Sequence, residues 1–522
     1  GWDPVENSSL IPWLACVALV HTMLAQKRTK GLVKTNFILA ISTFLLVLYS
    51  TFLTRSGVLG ESSVHSFVSP GMFAYVLLLA FIVIFAAIGI TPLVRRAKEL
   101  IPIGREYKVY SRETALGIGS AVLAACAVIV LLGTSWPVFA KAAVDVSYYN
   151  NLNLPIAIII ALLNGLALLL KWRTTAPKEL FRHSMFALIG AFVATVFIVW
   201  FGLHDVRFIL LTFASFFALF VNLQIGSRII QGNPRFIGAY VSHFGIALLF
   251  LGIVATSHYS EKASIELSQG QEASALGYQF TFLGKQQIET DKVDREKYQY
   301  DIQVTKGDEK FVVRPVVFWS DFNQRQSPIF NPGIRNLVVK DVYVSPQGIG
   351  TDGGIPQLEI KKGMTSYDSL SGYKIKFIDF DFSSQKKAQM LEGKVSNVKI
   401  GAILLVTAPD GKEDSITAYS TFGGSNGPEQ IPVAVPNSNA TVYFVQPEPD
   451  RDHPENSKAI VAIDDKDHPP PPLREVIAFD VSVKPFINLV WGGVIVMVLG
   501  FVFSIARRKK ESDRDLDSRA SE

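Results

Sequence analysis

Hydrophobic and polar positions alternate on two different scales along this 522-residue chain. Over residues 1–257, and again near the C-terminus, apolar runs of roughly 17 to 25 residues recur, the length that crosses ~30 Å of hydrocarbon. They fall at about 10–26, 35–54, 73–94, 115–139, 154–171, 183–202, 208–225, 237–257 and 487–506, which predicts nine membrane-spanning helices. Residues 258–485 switch to short alternating runs (FVVRPVVFW, RNLVVKDVYV, YKIKFIDFDF, NVKIGAILLV) separated by Gly, Pro, Asn and Asp. Period-two alternation between such turns predicts strands, and helical periodicity is scarce there. The expected fold is a polytopic α-helical membrane protein with a large β-rich domain inserted before the last span. Its parts are a membrane domain, 1–257, with an external segment at 1–14; a β-rich domain, 258–485; a final span, 486–506; and a tail, 507–522. DDKDHPPPPLR, 464–474, reads as a stiff linker leading back to the membrane. The charged tail after Lys510 reads as unstructured.

Charge gives the runs an orientation. Lys27, Arg28, Lys30 and Lys34 fill one loop; Arg95, Arg96, Lys98, Arg105, Lys108 and Arg112 fill another. Lys171, Arg173, Lys178 and Arg182 follow, then Arg228 and Arg235, then the Arg507–Lys510 cluster. The opposite loops hold little more than Arg55, Lys141 and Arg207. The positive-inside rule makes the first set cytoplasmic, so the opening segment, the His65 loop and residues 258–485 face outward. A composition of 49% hydrophobic and 18% charged residues argues against a soluble protein. Cys16 and Cys126 each lie in an apolar run and build neither a zinc site nor a disulfide framework, so any thiol chemistry comes from a partner. The acids and prolines of the first residues do not make a signal peptide.

His21 lies in the first run shortly before a basic loop, and His243 in the eighth shortly after another. The two runs cross in opposite directions, and at about 1.5 Å per residue both histidines sit roughly 8 to 12 Å from the basic side. Neutral imidazoles at matching depth suit axial ligation of one metal centre, such as haem iron. Either one alone would serve as a hydrogen-bond partner between helices; matching depth favours a shared ligand, because ionisable groups within a membrane tend to be functional. His65 stands in TFLTRSGVLGESSVHSF. An exposed loop histidine is the commoner case, but with Arg55 at the helix end and Phe67 beside it the segment suggests a shelf for a flat ligand bearing carboxylates. In the opening GWDPVENSSLIPWL, Trp2 and Trp13 suit an interfacial belt. A belt needs neither Asp3 and Glu6 nor Asn7, and Pro4 and Pro12 argue against simple helix extension. An aromatic shelf with a polar rim for a planar apolar ligand fits this segment better. His183, His204, His258, His453 and His468 read as ordinary interfacial or loop residues.

WDPVENSSLIPWL followed by ALVH resembles the tryptophan-rich "WWD" haem-handling signature, and its VEN form is similar to that of the CcmF family of cytochrome c-type biogenesis proteins. TFLTRSGVL with SVHSF, SRETALG, YVSHFGIALLFLGI and KPFINLVWGG extend the resemblance in order, and NPGIRNLVVKDVYVS adds a weaker match. The resemblance implies that His21 and His243 ligate a buried b-type haem acting as electron relay. It implies that His65 is the second of two external histidines on the haem being delivered. Trp2, Asp3, Pro4, Glu6, Asn7 and Trp13 match the segment on which that haem rests. The implied activity, as part of a complex, is the haem lyase step. Haem comes from a holo-CcmE-type chaperone and, with CcmH-type thiol subunits, is joined to the thiols of an apocytochrome CxxCH. The implied location is the bacterial inner membrane, with 258–485 in the periplasm and no nucleic-acid partner. Family members carry further spans, tryptophans and the first external histidine ahead of this motif, so the expectation is a truncated sequence rather than a separate polypeptide. A haem transporter is the rival reading, but it would show discontinuous helices or internal repeats, and neither is seen. A non-enzymatic scaffold leaves the matched histidines without a purpose.

Overall fold

The computed structural model describes residues 2–59, 71–100, 108–140, 143–321, 325, 327–382, 398–422, 429–450 and 453–520. Among them, nine helices are long and apolar enough to cross a membrane. These are α1 (Pro4–Thr29), α2 (Val33–Arg55), α3 (Gly71–Arg95), α4 (Arg112–Ala140), α5 (Val146–Leu169), α6 (Pro177–Trp200), α7 (Val206–Gly232), α8 (Gly238–His258) and α9 (Ile487–Ala520). Each overlaps one predicted span, and the differences lie at the ends.

The expectation that prolines would stop α1 is corrected: the helix runs from Pro4 through Pro12 to Thr29. Asp3 Oδ1 accepts from Val5 N (2.9 Å) and Glu6 N (3.2 Å), capping the first turn. Pro4 then sits where a missing N–H costs nothing. Pro12 removes one internal bond, but Ile11 and Leu14 beside it are buried with Val130 and Tyr149, and tertiary packing holds the turn. Asp145 starts α5 in the same way, accepting from Ser147 N at 2.8 Å, so Tyr148–Asn153 are helical rather than loop. The tail also departs from expectation, continuing as helix to Ala520. Arg507 and Glu511, one turn apart at 3.6 Å, support that extension.

Basic residues at one end of the bundle also tie helices together. Arg112 Nε donates to Ala167 O (3.1 Å) and its Nη2 to Leu168 O (2.9 Å), satisfying carbonyls at the end of α5. The Glu113 carboxylate accepts from Arg173 N at 2.9 and 3.0 Å, fixing the turn into α6. The Trp172 ring lies between the Arg28 and Arg112 guanidiniums, 5.8 and 5.7 Å from its centroid.

A glycine seam joins α8 to α9. Gly238, Gly245 and Gly252 recur every seven residues on one helix, and Gly493 and Gly500 on the other. A Cβ added at Gly245 would lie 2.5 Å from Met497 N, one at Gly493 2.6 Å from Leu249 N, and one at Gly252 2.6 Å from Val490 N. Backbone therefore meets backbone, as small residues allow between membrane helices, and Ser242 Oγ donates across the seam to Met497 O at 3.1 Å.

The strands between these helices form two cores. The first joins the sheet β1 (Glu261–Ser268), β19 (Arg474–Pro485), β9 (Lys340–Asp352), β8 (Gly333–Asn336) to a second sheet. That sheet is β2 (Glu272–Ala275), β3 (Tyr278–Ile288), β4 (Arg295–Lys306), β6 (Val316–Ser320), β7 (Ile329–Asn331), with β5 (Glu309–Val313) on β4. Phe280, Phe282, Tyr300, Val342 and Phe479 fill the space between them. The other core lies between β10 (Gln357–Lys361), β18 (Lys458–Asp465), β17 (Ala440–Glu448), β16 (Val433–Ala434) and the sheet β11 (Thr365–Tyr367), β12 (Lys374–Phe382), β13 (Val398–Thr407), β14 (Glu413–Phe422), β15 (Glu429–Ile431). Phe377, Leu404, Phe444 and Val461 are buried there. Every strand of the second core falls between β9 and β19 of the first, so one unit is inserted in the other. The proline-rich stretch joins β18 to β19 instead of leading to the membrane; β19 intervenes before α9. β1 follows α8 and pairs antiparallel with β19, Glu261 opposite Val483 through Ser268 opposite Val476.

The seam is testable. Gly245→Val should lower the melting temperature in detergent markedly, since overpacking against backbone costs about 1–3 kcal/mol or more. Gly117→Ala, where the added Cβ meets nothing within 4 Å, should leave it unchanged or raise it slightly. Equal melting of both variants would show that the two backbones are not in contact.

Candidate functional site

His21 and His243 meet. Their ring centroids are 6.1 Å apart with the planes tilted by 59°. The helices carrying them are not close neighbours: α1 packs on α4 and α2, and α8 on α9 and α7. The imidazoles thus approach from helices that are not packed together, each half-buried. His21 Nδ1 donates to Val17 O at 2.8 Å, which leaves Nε2 as its lone-pair nitrogen. On α8, Asn164 Nδ2 donates to the His243 carbonyl at 2.9 Å, and Asn222 Nδ2 donates to Asn164 Oδ1 at 3.4 Å. His243 Nδ1 is buried without a hydrogen-bond partner among the described residues; the Ala239 carbonyl one turn back attracts the ring but does not meet bonding geometry.

This donor set discriminates between metal centres. At that separation the two imidazoles are close enough that both could hold one metal ion. Among the described residues, however, no group of three His, Cys, Asp or Glu is placed to hold a metal ion. Two imidazoles alone are too few for a bare ion of the zinc type. They are the right number for a metal that brings four equatorial nitrogens in a macrocycle. The residues fit a haem.

The opening segment forms the N-terminal end of α1. Trp2 stacks on Tyr149 of α5, centroids 4.8 Å apart and planes within 12°, and its Nε1 donates to Asn150 Oδ1 at 2.8 Å. Tyr149 is buried, with Asn7 and Thr134 flanking its phenol; Asn7 Nδ2 and Thr134 Oγ1 find no hydrogen-bond partner among the described residues. Gly133 makes room for this floor, since a Cβ there would lie 2.8 Å from the Tyr149 ring. Pro4 and Asn7 face inward, whereas Glu6 and Trp13 lie on the exposed stripe of α1, so the expected shelf residues do not share one face. Arg55 is exposed at the end of α2, where Phe52, Leu53 and Leu59 pack with Val5 of the opening segment. Ser8 and Ser50 hydroxyls, 2.9 Å apart, join the same two helix ends. His65 lies outside the described residues.

Sequence reasoning missed Tyr149, Asn150 and Asn164. YYNNLN, at 148–153, carried a signal in its aromatic–amide pairing just ahead of an apolar run. If ring stacking holds Trp2, Tyr149→Phe should cost about 1 kcal/mol for the phenol and Tyr149→Leu clearly more, read as melting temperature in detergent. Equal losses would assign the role to the phenol alone.

A family model described as cytochrome C assembly protein matches residues 1–59. The chain is 30% identical over 368 residues to the cytochrome c-type biogenesis protein CcmF of Pseudomonas fluorescens, covering 66% of this chain and 54% of that protein. It is also 30% identical over 306 residues to CcmF of Escherichia coli strain K12, covering 54% and 45%. The chain spans about half the length of these relatives. Its fold is similar to a solved cytochrome c heme lyase CcmF, with a TM-score of 0.57 over 96% of this chain and 60% of that one, at 18% identity. With nine apolar helices among the described residues, this is a multi-pass membrane protein. The family model over residues 1–59 and the relatives at 30% identity agree, and the fold is consistent with them: the chain belongs to the CcmF family of cytochrome c-type biogenesis proteins.

Proposed function

We propose that this chain is a haem-handling component of cytochrome c maturation, positioning haem for thioether attachment to an apocytochrome CxxCH. The observation that carries the reading is the convergence of His21 and His243 to 6.1 Å with no third protein ligand beside them among the described residues. In this reading the pair holds a resident b-type haem, which supplies one-electron redox chemistry at that depth. The protein's part is orientation. The His21 Nδ1–H is spent on Val17, so Nε2 is the nitrogen that would hold the metal, a tautomer lock of the kind that tunes ligating histidines. Asn164 holds the backbone of His243 and fixes the height of the second imidazole.

The delivered haem is substrate. Trp2, braced by Tyr149 and Asn150, offers an immobilised aromatic plane, while Asp3 is committed to capping α1. Arg55, at the neighbouring helix end, suits the propionates, and His65 is assigned an axial position on that haem. No side chain of this site is a plausible nucleophile. The vinyl groups and the apocytochrome thiols react with each other, and the site's contribution is to hold them in register. A CcmE-type chaperone is the proposed donor and a CcmH-type subunit the proposed handler of thiols, with the β-rich domain in the periplasm and the helices in the inner membrane.

The visible spectrum of the purified protein tests this reading. A bis-histidine b-type spectrum should be present, and His21→Ala and His243→Ala should each abolish it. Retention of full haem by both variants would remove the assignment.

A further inference from the structure

We infer that the tip of the β8–β9 hairpin, Leu337-Val338-Val339, dips with Phe486 into the surface of the lipid bilayer and anchors the β-rich domain there. β8 and β9 pair from Gly333 opposite Val344 to Asn336 opposite Asp341, leaving these three residues as the turn. Tight hairpin turns favour Gly, Asn and Asp. Here Val338 is 90% exposed and Val339 53%, with Ile334 and Phe486 also outward. In water such a turn would have no reason to be apolar.

Its position supplies the reason. Asn488, in the first turn of α9, donates from Nδ2 to the carbonyls of both Leu337 and Val338 at 3.0 Å. Phe486 N donates to Val339 O at 2.6 Å, holding Phe486 at a φ of 54°, which a bulky residue seldom adopts. Three residues beyond Asn488 stands Trp491, more than half exposed on the same helix, as belt tryptophans are at headgroup depth. Three helical residues rise only about 4–5 Å, so the hairpin tip lies within one turn of that belt.

A cationic collar surrounds the tip. Arg335 of β8, Lys340 of β9, Lys484 of β19 and Lys262 of β1 occupy the helix-proximal ends of four adjacent strands. The acids there are Glu261 and Asp341, and Asp341 is buried, its Oδ1 accepting from Leu337 N at 3.3 Å to brace the turn. Lys484 and Lys340 lie over the rings of Tyr343 and Tyr278 at 4.1 and 5.3 Å, and Arg335 over Phe311 at 5.4 Å. Apolar side chains beneath cations match acyl chains beneath phosphates, the usual complementarity of an interfacial anchor.

Collision accessibility tests this on the whole chain in nanodiscs containing phosphatidylglycerol. In a Cys16→Ala/Cys126→Ala background, Val338→Cys carries a nitroxide. The comparison label is Val293→Cys, on an 89%-exposed side chain in the β3–β4 turn. That turn lies at the far end of the sheet, because β3 begins at Tyr278 below Lys340 and further along Lys285 pairs with Glu475 at the start of β19. Oxygen should reach the label at 338 severalfold better than a water-soluble nickel chelate, with the order reversed at 293. A Val339→Cys label should follow 338. If 338 behaves like 293, the anchor is wrong; if both reagents are shut out, the tip is covered by protein and the lipid assignment is equally wrong.

Discussion

The contact on which the rest of this molecule depends is the backbone-to-backbone seam between α8 and α9. The β strands emerge from α8 and return into α9, so the two helices are separated by more than two hundred residues in sequence and by almost nothing in space. Lipid gives apolar helices no hydrophobic reason to associate, and close van der Waals approach must do it instead. The seven-residue glycine repeat permits that approach and sets its hand, because a heptad spacing keeps one stripe of each helix against the other under a slight left-handed twist. With α9 fixed, α8 presents His243 from a supported helix, braced on its other side by Asn164 of α5.

The histidine pair follows a different rule. Between α1 and α8 there is no seam to align the rings, and their meeting depends on helices packed elsewhere. α1 is held by α4 through Ile11 and Leu14 against Val130, and its C-terminal end by Arg28 on the Trp172 ring that Arg112 also covers. Arg112 therefore does two things at once. Its guanidinium covers the Trp172 ring, and it satisfies α5 carbonyls that would otherwise be unpaired near the hydrocarbon. Among the described residues the buried Nδ1 of His243 has no hydrogen-bond partner, and proteins rarely bury such a polar atom without purpose.

Legibility in sequence tracked the range of the interaction. Span length, charge alternation and the depth of His21 and His243 are local or one-dimensional quantities, and they led directly to nine helices and to two rings 6.1 Å apart. Trp2 was singled out correctly as unusual, but its floor, Tyr149, lies 147 residues away and no periodicity links them. The prolines misled because the rule against helical proline assumes an unsupported turn. Asp3 supplies a cap to the first, and burial around the second holds the chain. The two β cores were not separable by composition, since both are built from the same alternating runs and differ only in which strands pair. The fate of the proline-rich stretch turned on that pairing, because β18 and β19 belong to different cores.

The nested order of the two β units has a mechanical consequence. The inner core hangs from β9 and β19, and β19 is also the strand that pairs with β1 and continues toward α9. A force on the inner unit must therefore pass through the β1–β19–β9 ladder before it reaches the membrane helices. That ladder pairs eight residues on one side of β19 and twelve on the other, which makes it the most extended pairing in the outer core. Its helix-proximal end is clasped by Asn488 and by the backbone of Phe486, which ties the third strand to α9 as well. Three strands thus converge on one helix pair bearing His243. The two connections to the inner unit, residues 353–356 and 466–473, are themselves tied together, Gly354 N donating to Pro471 O at 2.7 Å.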